Sequence, residues 1–163
     1  MTMLTAKEKI QAWVEAGDVD APLNLDEFDV IPELPASLRE LHANSATTLP
    51  ELPEGLKTLY AHNATELPKL PLSLVELHAN RLKQLPELPA SLECLHVDRA
   101  TKLPELPASL KYLKAYSVTT LPALPEGLEH LSAHSARTLP ALPASLVKLE
   151  ANSAITLPAL PAS

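Results

Sequence analysis

The chain has 163 residues, a formal net charge of −7, and 46% hydrophobic residues of which few are aromatic. That length carries one domain with an aliphatic core, and the negative balance argues against nonspecific nucleic-acid binding, which needs phosphate neutralisation. A single cysteine, Cys94, excludes an internal disulfide framework and a cysteine-rich zinc site. Met1–Gln11 lacks the apolar stretch of a signal peptide, and no apolar run reaches membrane-spanning length, so a cytoplasmic chain without a membrane role is expected.

The first element is a helix. Thr5-Ala6-Lys7-Glu8 reads as a capping box, Ile10, Trp13 and Val14 form an apolar stripe, and Gly17 is a natural stop. Leu23, Leu25, Phe28 and Val30 then fall in phase with a first strand and turn. Residues 1–30 are expected to form an N-terminal helical cap with that first strand, Trp13 and Phe28 plugging the core.

From residue 31 to 163 the chain is an array of seven 18-residue repeats followed by a partial one. Leu-Pro or Ile-Pro pairs begin at Ile31, Leu49, Leu67, Leu85, Leu103, Leu121, Leu139 and Leu157. A fixed period of this length means a solenoid of stacked coils. With the residue before each proline as phase 1, phases 4, 8 and 11 are leucine throughout, phase 13 is alanine or Val97, and phase 16 is small or aliphatic. These six phases are expected to face inward. Leu-x-x-Leu-x-Ala over phases 8–13 alternates like a strand. Prolines at phases 2 and 5 lack an N–H and favour extended backbone outside any ladder. Ser or Gly at phase 7 marks the bend before the strand. The expectation is one short parallel strand per coil, centred on Leu41, Leu59, Leu77, Leu95, Leu113, Leu131 and Leu149, with a Pro-rich return. A left-handed β-helix also has 18-residue coils, but its six-residue rhythm would place Leu, Ser or Gly, and Ala inside, and its ladders would need the missing proline donors.

The motif Leu-Pro-x-Leu-Pro-x-Ser-Leu-x-x-Leu-x-Ala, as at Leu85–Val97 with Val in the last place, resembles the repeats of bacterial type III effectors of the IpaH and YopM kind. The resemblance covers Leu23 to the C-terminus. It implies a leucine-rich repeat solenoid with a parallel β-sheet on the concave face, a Pro-rich extended convex side and a helical cap. Two features depart from the family pattern. The repeat is shorter, at 18 residues, and the family's internal asparagine is replaced by Ala46, Ala64, Leu82, Ala100, Val118, Ala136 and Ala154. Threonines at phases 17 and 18 are expected to satisfy the turn's backbone groups instead. The IpaH ligase chemistry lies in a separate domain that this sequence does not contain.

Outward strand phases carry the candidate site. All the histidines and tyrosines fall there: His42, Tyr60, His62, His78, His96, Tyr112, Tyr116, His130 and His134. Tyrosine and histidine suit protein contacts, and histidines would make such contacts pH-dependent between about pH 5.5 and 7.5. The function read from this is a non-catalytic protein–protein interaction module, an effector-type substrate-recognition or scaffold element if the resemblance extends to role, and then delivered into a host cell. No catalytic residue and no cofactor is expected. One alternative is metal or small-molecule binding through the same row, with His78, His96 and Cys94 as the metal candidates. Another is self-assembly into a weak homodimer: Leu157 and Leu160 begin a coil that does not close, leaving the preceding strand with an open edge. Glu33, Glu51, Glu87 and Glu105 form an acidic stripe read as a solvated face.

Overall fold

Thr5 opens helix α1 (Ala6–Ala16) with the expected capping box: the Glu8 N–H donates to Thr5 Oγ1 at 3.3 Å, and the Thr5 N–H donates to Glu8 Oε2 at 2.7 Å. The computed structural model describes residues 4–155 and Pro158. Gly17 ends the helix at φ 71°, a left-handed conformation in which glycine carries no Cβ penalty. Ile10 and Trp13 pack on the core, and the Trp13 indole N–H donates to the Ala21 carbonyl at 3.0 Å. Val14 does not join them and is exposed, because the helix meets the first coil along a narrow stripe. Phe28 also packs against the core as expected.

The sheet follows in strict sequence order. Its described strands are β1 (Leu23–Asn24), β2 (Glu40–His42), β3 (Thr58–Tyr60), β4 (Glu76–His78), β5 (Cys94–His96), β6 (Tyr112–Lys114), β7 (His130–Ser132) and β8 (Lys148–Glu150), all parallel. Register is one repeat per strand throughout: Leu41 faces Leu59, Leu59 faces Leu77, and Leu77 faces Leu95. Each coil contributes one three-residue strand, plus isolated bridges at Val30–Thr48 and Thr120–Thr138. A three-sided β-helix is thereby excluded, and the chain is a leucine-rich repeat solenoid.

Burial shows which phases form the centre. The phase 8 and phase 11 leucines from Leu38 to Leu131 are at most 1% exposed, and the alanines at phases 13 and 16 that precede the last coil are fully buried. Phases 1 and 4 are unevenly covered: Ile31, Leu34, Leu52, Leu70, Leu121, Leu139 and Leu142 are buried as expected, whereas Leu49, Leu67, Leu85, Leu88, Leu103, Leu106 and Leu124 are only partly buried. Prolines without N–H donors leave that side of the coil without a ladder. The acidic phase 3 residues Glu33, Glu51, Glu87 and Glu105 are exposed.

The turns hold themselves together mainly through backbone. After most strands the phase 16 N–H returns to the phase 13 carbonyl, as from Ala64 to Ala61 at 3.1 Å. The phase 15 N–H reaches the phase 14 carbonyl of the preceding coil, as from Arg99 to Asn80 at 2.9 Å. The expected threonine role is therefore not needed. Among the described residues only Thr65 uses its hydroxyl in this way, on the Thr47 carbonyl at 3.4 Å.

Serine at phase 7 does more than mark a bend. The Ser73 hydroxyl shares its proton between the carbonyls of Glu54 and Leu56, at 2.6 and 2.7 Å. Ser91 does the same with Leu72 and Leu74, Ser145 with Glu126 and Leu128, and Ser109 reaches Leu92. At these four coils the serine ties the coil to the one before it. Leu157 and Leu160, on which the expectation of an open C-terminal edge rests, lie outside the described residues.

Candidate functional site

A three-residue strand whose middle residue is a core leucine displays its first and third side chains on the outer face of the sheet. Phases 10 and 12 of successive coils thus form two parallel rows, and phase 14 adds a third where the chain leaves the sheet. The phase 12 row begins His42, Tyr60, His78, His96. Ring centroids are 4.6 Å apart for His42–Tyr60, 4.5 Å for the stacked Tyr60–His78 pair, and 4.2 Å for the edge-on His78–His96 pair. His62, at phase 14, abuts His78 edge-on at 6.0 Å. The strand spacing of about 4.8 Å imposes these contacts.

The candidate residues therefore do not form one continuous patch. Tyr112 and His130 lie in the phase 10 row and stack at 4.9 Å. Tyr116 and His134, at phase 14, meet at 4.7 Å. Cys94 and Lys114 stand between the groups. A recess of about 350 Å³ opens there, walled by Cys94, His96, Tyr112, Lys114, His130 and Glu150 among others.

Polar partners that the sequence reading did not single out organise the face. Glu40 Oε1 accepts from His42 Nε2 at 2.8 Å, and Glu76 Oε1 accepts from His78 Nε2 at 2.6 Å. The Tyr60 hydroxyl also donates to Glu76 Oε1, at 3.4 Å. At the other end Ser132 donates to Glu150 Oε2 at 2.8 Å, and Lys148 pairs with Glu150 at 2.9 Å. The signal was available: Glu-Leu-His occurs at both 40–42 and 76–78, which places acid and imidazole side by side on one strand face.

Burial tunes the titrating groups. His96 is pushed down to about 4, first by burial and then by the neighbouring His78 and Lys114. His62 is lowered by burial and by His78. His96 is therefore neutral over the window in which the histidine row was expected to switch. The Cys94 thiol is pushed up to about 11 by burial and by the Glu76 carboxylate. Tyr60 is raised by burial, then by Glu76. The Glu150 carboxyl is lowered, mainly by its hydrogen bond with Lys148 and then by that with Ser132.

The metal candidates are regrouped. Cys94 and His78 approach each other together with Glu76: one ligand atom from each of the three lies within 4.8 Å of the others. Two outward residues of a single strand converge readily, as Glu76 and His78 do.

Among the described residues no helix is long and apolar enough to cross a membrane. No protein-family model matches the chain, and no curated protein matches it. A solved structure of YopM from Yersinia enterocolitica WA-314 is similar: 82% of this chain aligns with it at 37% identity and a TM-score of 0.75. The chain spans 33% of the length of that YopM chain.

Proposed function

We propose that this leucine-rich repeat solenoid is a non-catalytic protein-interaction module that engages its partner through the concave sheet face, in the manner of an effector-type recognition or scaffold element. The observation that carries the reading is the distribution of side chains. The histidines and tyrosines line the outward rows of the sheet, while the convex side presents acidic and proline-rich coils. Amphipathic rings on a rigid face are suited to partner contacts. Tyr112 is 40% exposed, and Lys114 is exposed beside the recess with no ion-pair partner among the described residues. Together they give the partner an aromatic surface and a free cation. A thiol held near 11 is the reverse of an activated nucleophile, which supports a role without catalysis. The likeness to YopM and the repeat motif support a site of action in the cytoplasm, reached by delivery into a host cell.

The test compares three proteins in capture from host-cell extract: the parent chain, a concave variant (Tyr112→Ala with Lys114→Glu), and a convex variant (Glu87→Lys with Glu105→Lys). A defined polypeptide retained by the parent and the convex variant but lost by the concave one is the expected result. Loss confined to the convex variant would place the interface on the other side. His78 is a poor choice for such a variant because it is 9% exposed, so its removal disturbs the stacked row as well as the surface.

A further inference from the structure

We propose that Glu76, His78 and Cys94 form a binding site for a divalent transition-metal ion of the zinc type. Each residue brings one donor atom of a different kind: a carboxylate oxygen, an imidazole nitrogen and a sulfur. The three atoms lie within 4.8 Å of one another across the adjacent strands β4 and β5. Glu76 and Cys94 face each other directly in the ladder, and His78 stands on the same face, two residues along from Glu76. Hard cations such as calcium and magnesium take oxygen donors, so a mixed nitrogen, sulfur and oxygen set selects against them. Zinc accepts all three, at about 2.0–2.3 Å.

The required movement is small. Tetrahedral bonds of that length place ligand atoms about 3.3–3.7 Å apart. The Glu76–His78 contact of 2.6 Å must open slightly, and the sulfur must approach by a side-chain rotation. In the absence of metal a proton holds His78 Nε2 and Glu76 Oε1 together, so both donor atoms already point at a common centre. The ion replaces that proton. The single ring proton of His78 then sits on Nδ1, and the ring binds through Nε2 as a neutral imidazole.

Charge favours the exchange. The ion carries two positive charges, and Glu76 and the Cys94 thiolate supply two negative ones, so the loaded site is neutral on a half-buried surface. The ion takes the place of the thiol proton, so binding releases one proton to solvent. The fourth position opens to the concave surface, where water completes the tetrahedron. His96 stands at the rim, its ring centred 4.2 Å from that of His78, and shields the site from one side.

This inference needs no protein partner, so its outcome is separate from that of the interaction reading. Cobalt(II) is the probe, added to the whole chain after treatment with chelator. A tetrahedral site with a thiolate ligand gives a sulfur-to-cobalt charge-transfer band in the near ultraviolet and visible ligand-field bands. The expected result is saturation at one cobalt per chain, with displacement by zinc. Cys94→Ser keeps the side-chain volume and should remove the charge-transfer band. Glu76→Gln and His78→Gln should each weaken binding at least about a hundredfold with the circular dichroism spectrum retained. His130→Gln, on the far side of the recess, should leave the band unchanged. Absence of the band at stoichiometric cobalt overturns the site, as does a band that survives Cys94→Ser. A band present in Cys94-containing protein but insensitive to both Glu76→Gln and His78→Gln overturns the ligand set.

Discussion

The Oε1 of Glu76 and the Nε2 of His78 meet at 2.6 Å across one face of β4, with the fully buried Leu77 between them in sequence. The pair shows how this fold spends its strand residues. One side chain of three enters the core, and the other two meet in the open. Glu40 and His42 repeat the arrangement on β2 at 2.8 Å, and Lys148 and Glu150 do so on β8 at 2.9 Å. On β5, β6 and β7 the corresponding pairs are Cys94 with His96, Tyr112 with Lys114, and His130 with Ser132. Those three strands, together with β8, carry the recess.

The serine seam predicts two stabilising substitutions. Gly55 and Gly127 occupy phase 7, where Ser73, Ser91, Ser109 and Ser145 tie into the preceding coil. Neither glycine has a positive φ. A Cβ on Gly55 would come no nearer than 3.9 Å to the Ala36 carbonyl oxygen, and one on Gly127 no nearer than 3.6 Å to that of Ala108. Gly55→Ser and Gly127→Ser should each add about 0.5–1 kcal/mol, from the new hydrogen bond and the reduced freedom of the unfolded chain. Urea unfolding measures this; an unchanged or lower midpoint in both variants would contradict it.

Leu95 tests the core. It is fully buried between Leu77 and Leu113 in the ladder of phase 11 leucines. Leu95→Ala should cost about 2–5 kcal/mol, since coils held on both sides cannot collapse into the space left behind. A loss below about 1 kcal/mol in the same unfolding experiment would show that the row tolerates a gap.

Acid should weaken the fold before the carboxylates titrate. The folded protein holds His96 down at about 4, whereas the unfolded chain leaves it at its ordinary 6.5. The unfolded state therefore binds the extra proton first as pH falls. The contribution from this histidine is fully present above about pH 6.5 and declines between there and pH 4. His62, lowered in the same direction, adds to the decline. Melting temperatures recorded from pH 7.5 to 4.5 should fall, and His96→Gln should flatten the slope. Equal slopes in the two proteins would remove His96 from the account.

Cys94 should be a slow thiol. With its proton held to about pH 11 by burial and by Glu76, little thiolate is present near neutrality. Iodoacetamide should modify the metal-free folded chain far more slowly at pH 7.5 than it modifies the urea-unfolded chain. Glu76→Gln should raise the folded rate, because it removes the neighbouring negative charge. Equal rates for folded and unfolded protein would show that the thiol is not held in this way.

The coil architecture was legible because it repeats. Seven copies of one phase pattern separate the inward leucines from the outward residues without any need to know the curvature of the chain. Three features were less legible, each for a physical reason. Val14 fits the helical stripe, but the width of the docking contact, which depends on the first coil, excludes it. Leu85 and Leu88 match the inward phases, yet lie only partly buried on the side of the coil that proline leaves without a ladder. The nine candidate rings fall at outward phases, but which of them stack depends on whether residues share a phase. Tyr60 reaches His78 across one strand spacing, while Tyr112 turns to His130 in the other row. The seam serine looked like a turn residue because turns and hydroxyl donors draw on the same amino acid.

Unslipping register has an evolutionary meaning as well as a mechanical one. Every described strand pairs with the next at the same offset, so coils present their neighbours with the same strand leucines and closely similar small or aliphatic residues. Unequal crossing-over within the gene that adds or deletes a whole repeat leaves every packing contact a grammatical one. What it alters is the text on the outer face, where Glu-His, Cys-His or Tyr-Lys is inserted, struck out or moved along the line. Such a chain can acquire a new reader of partners by editing, with no need to reinvent the page.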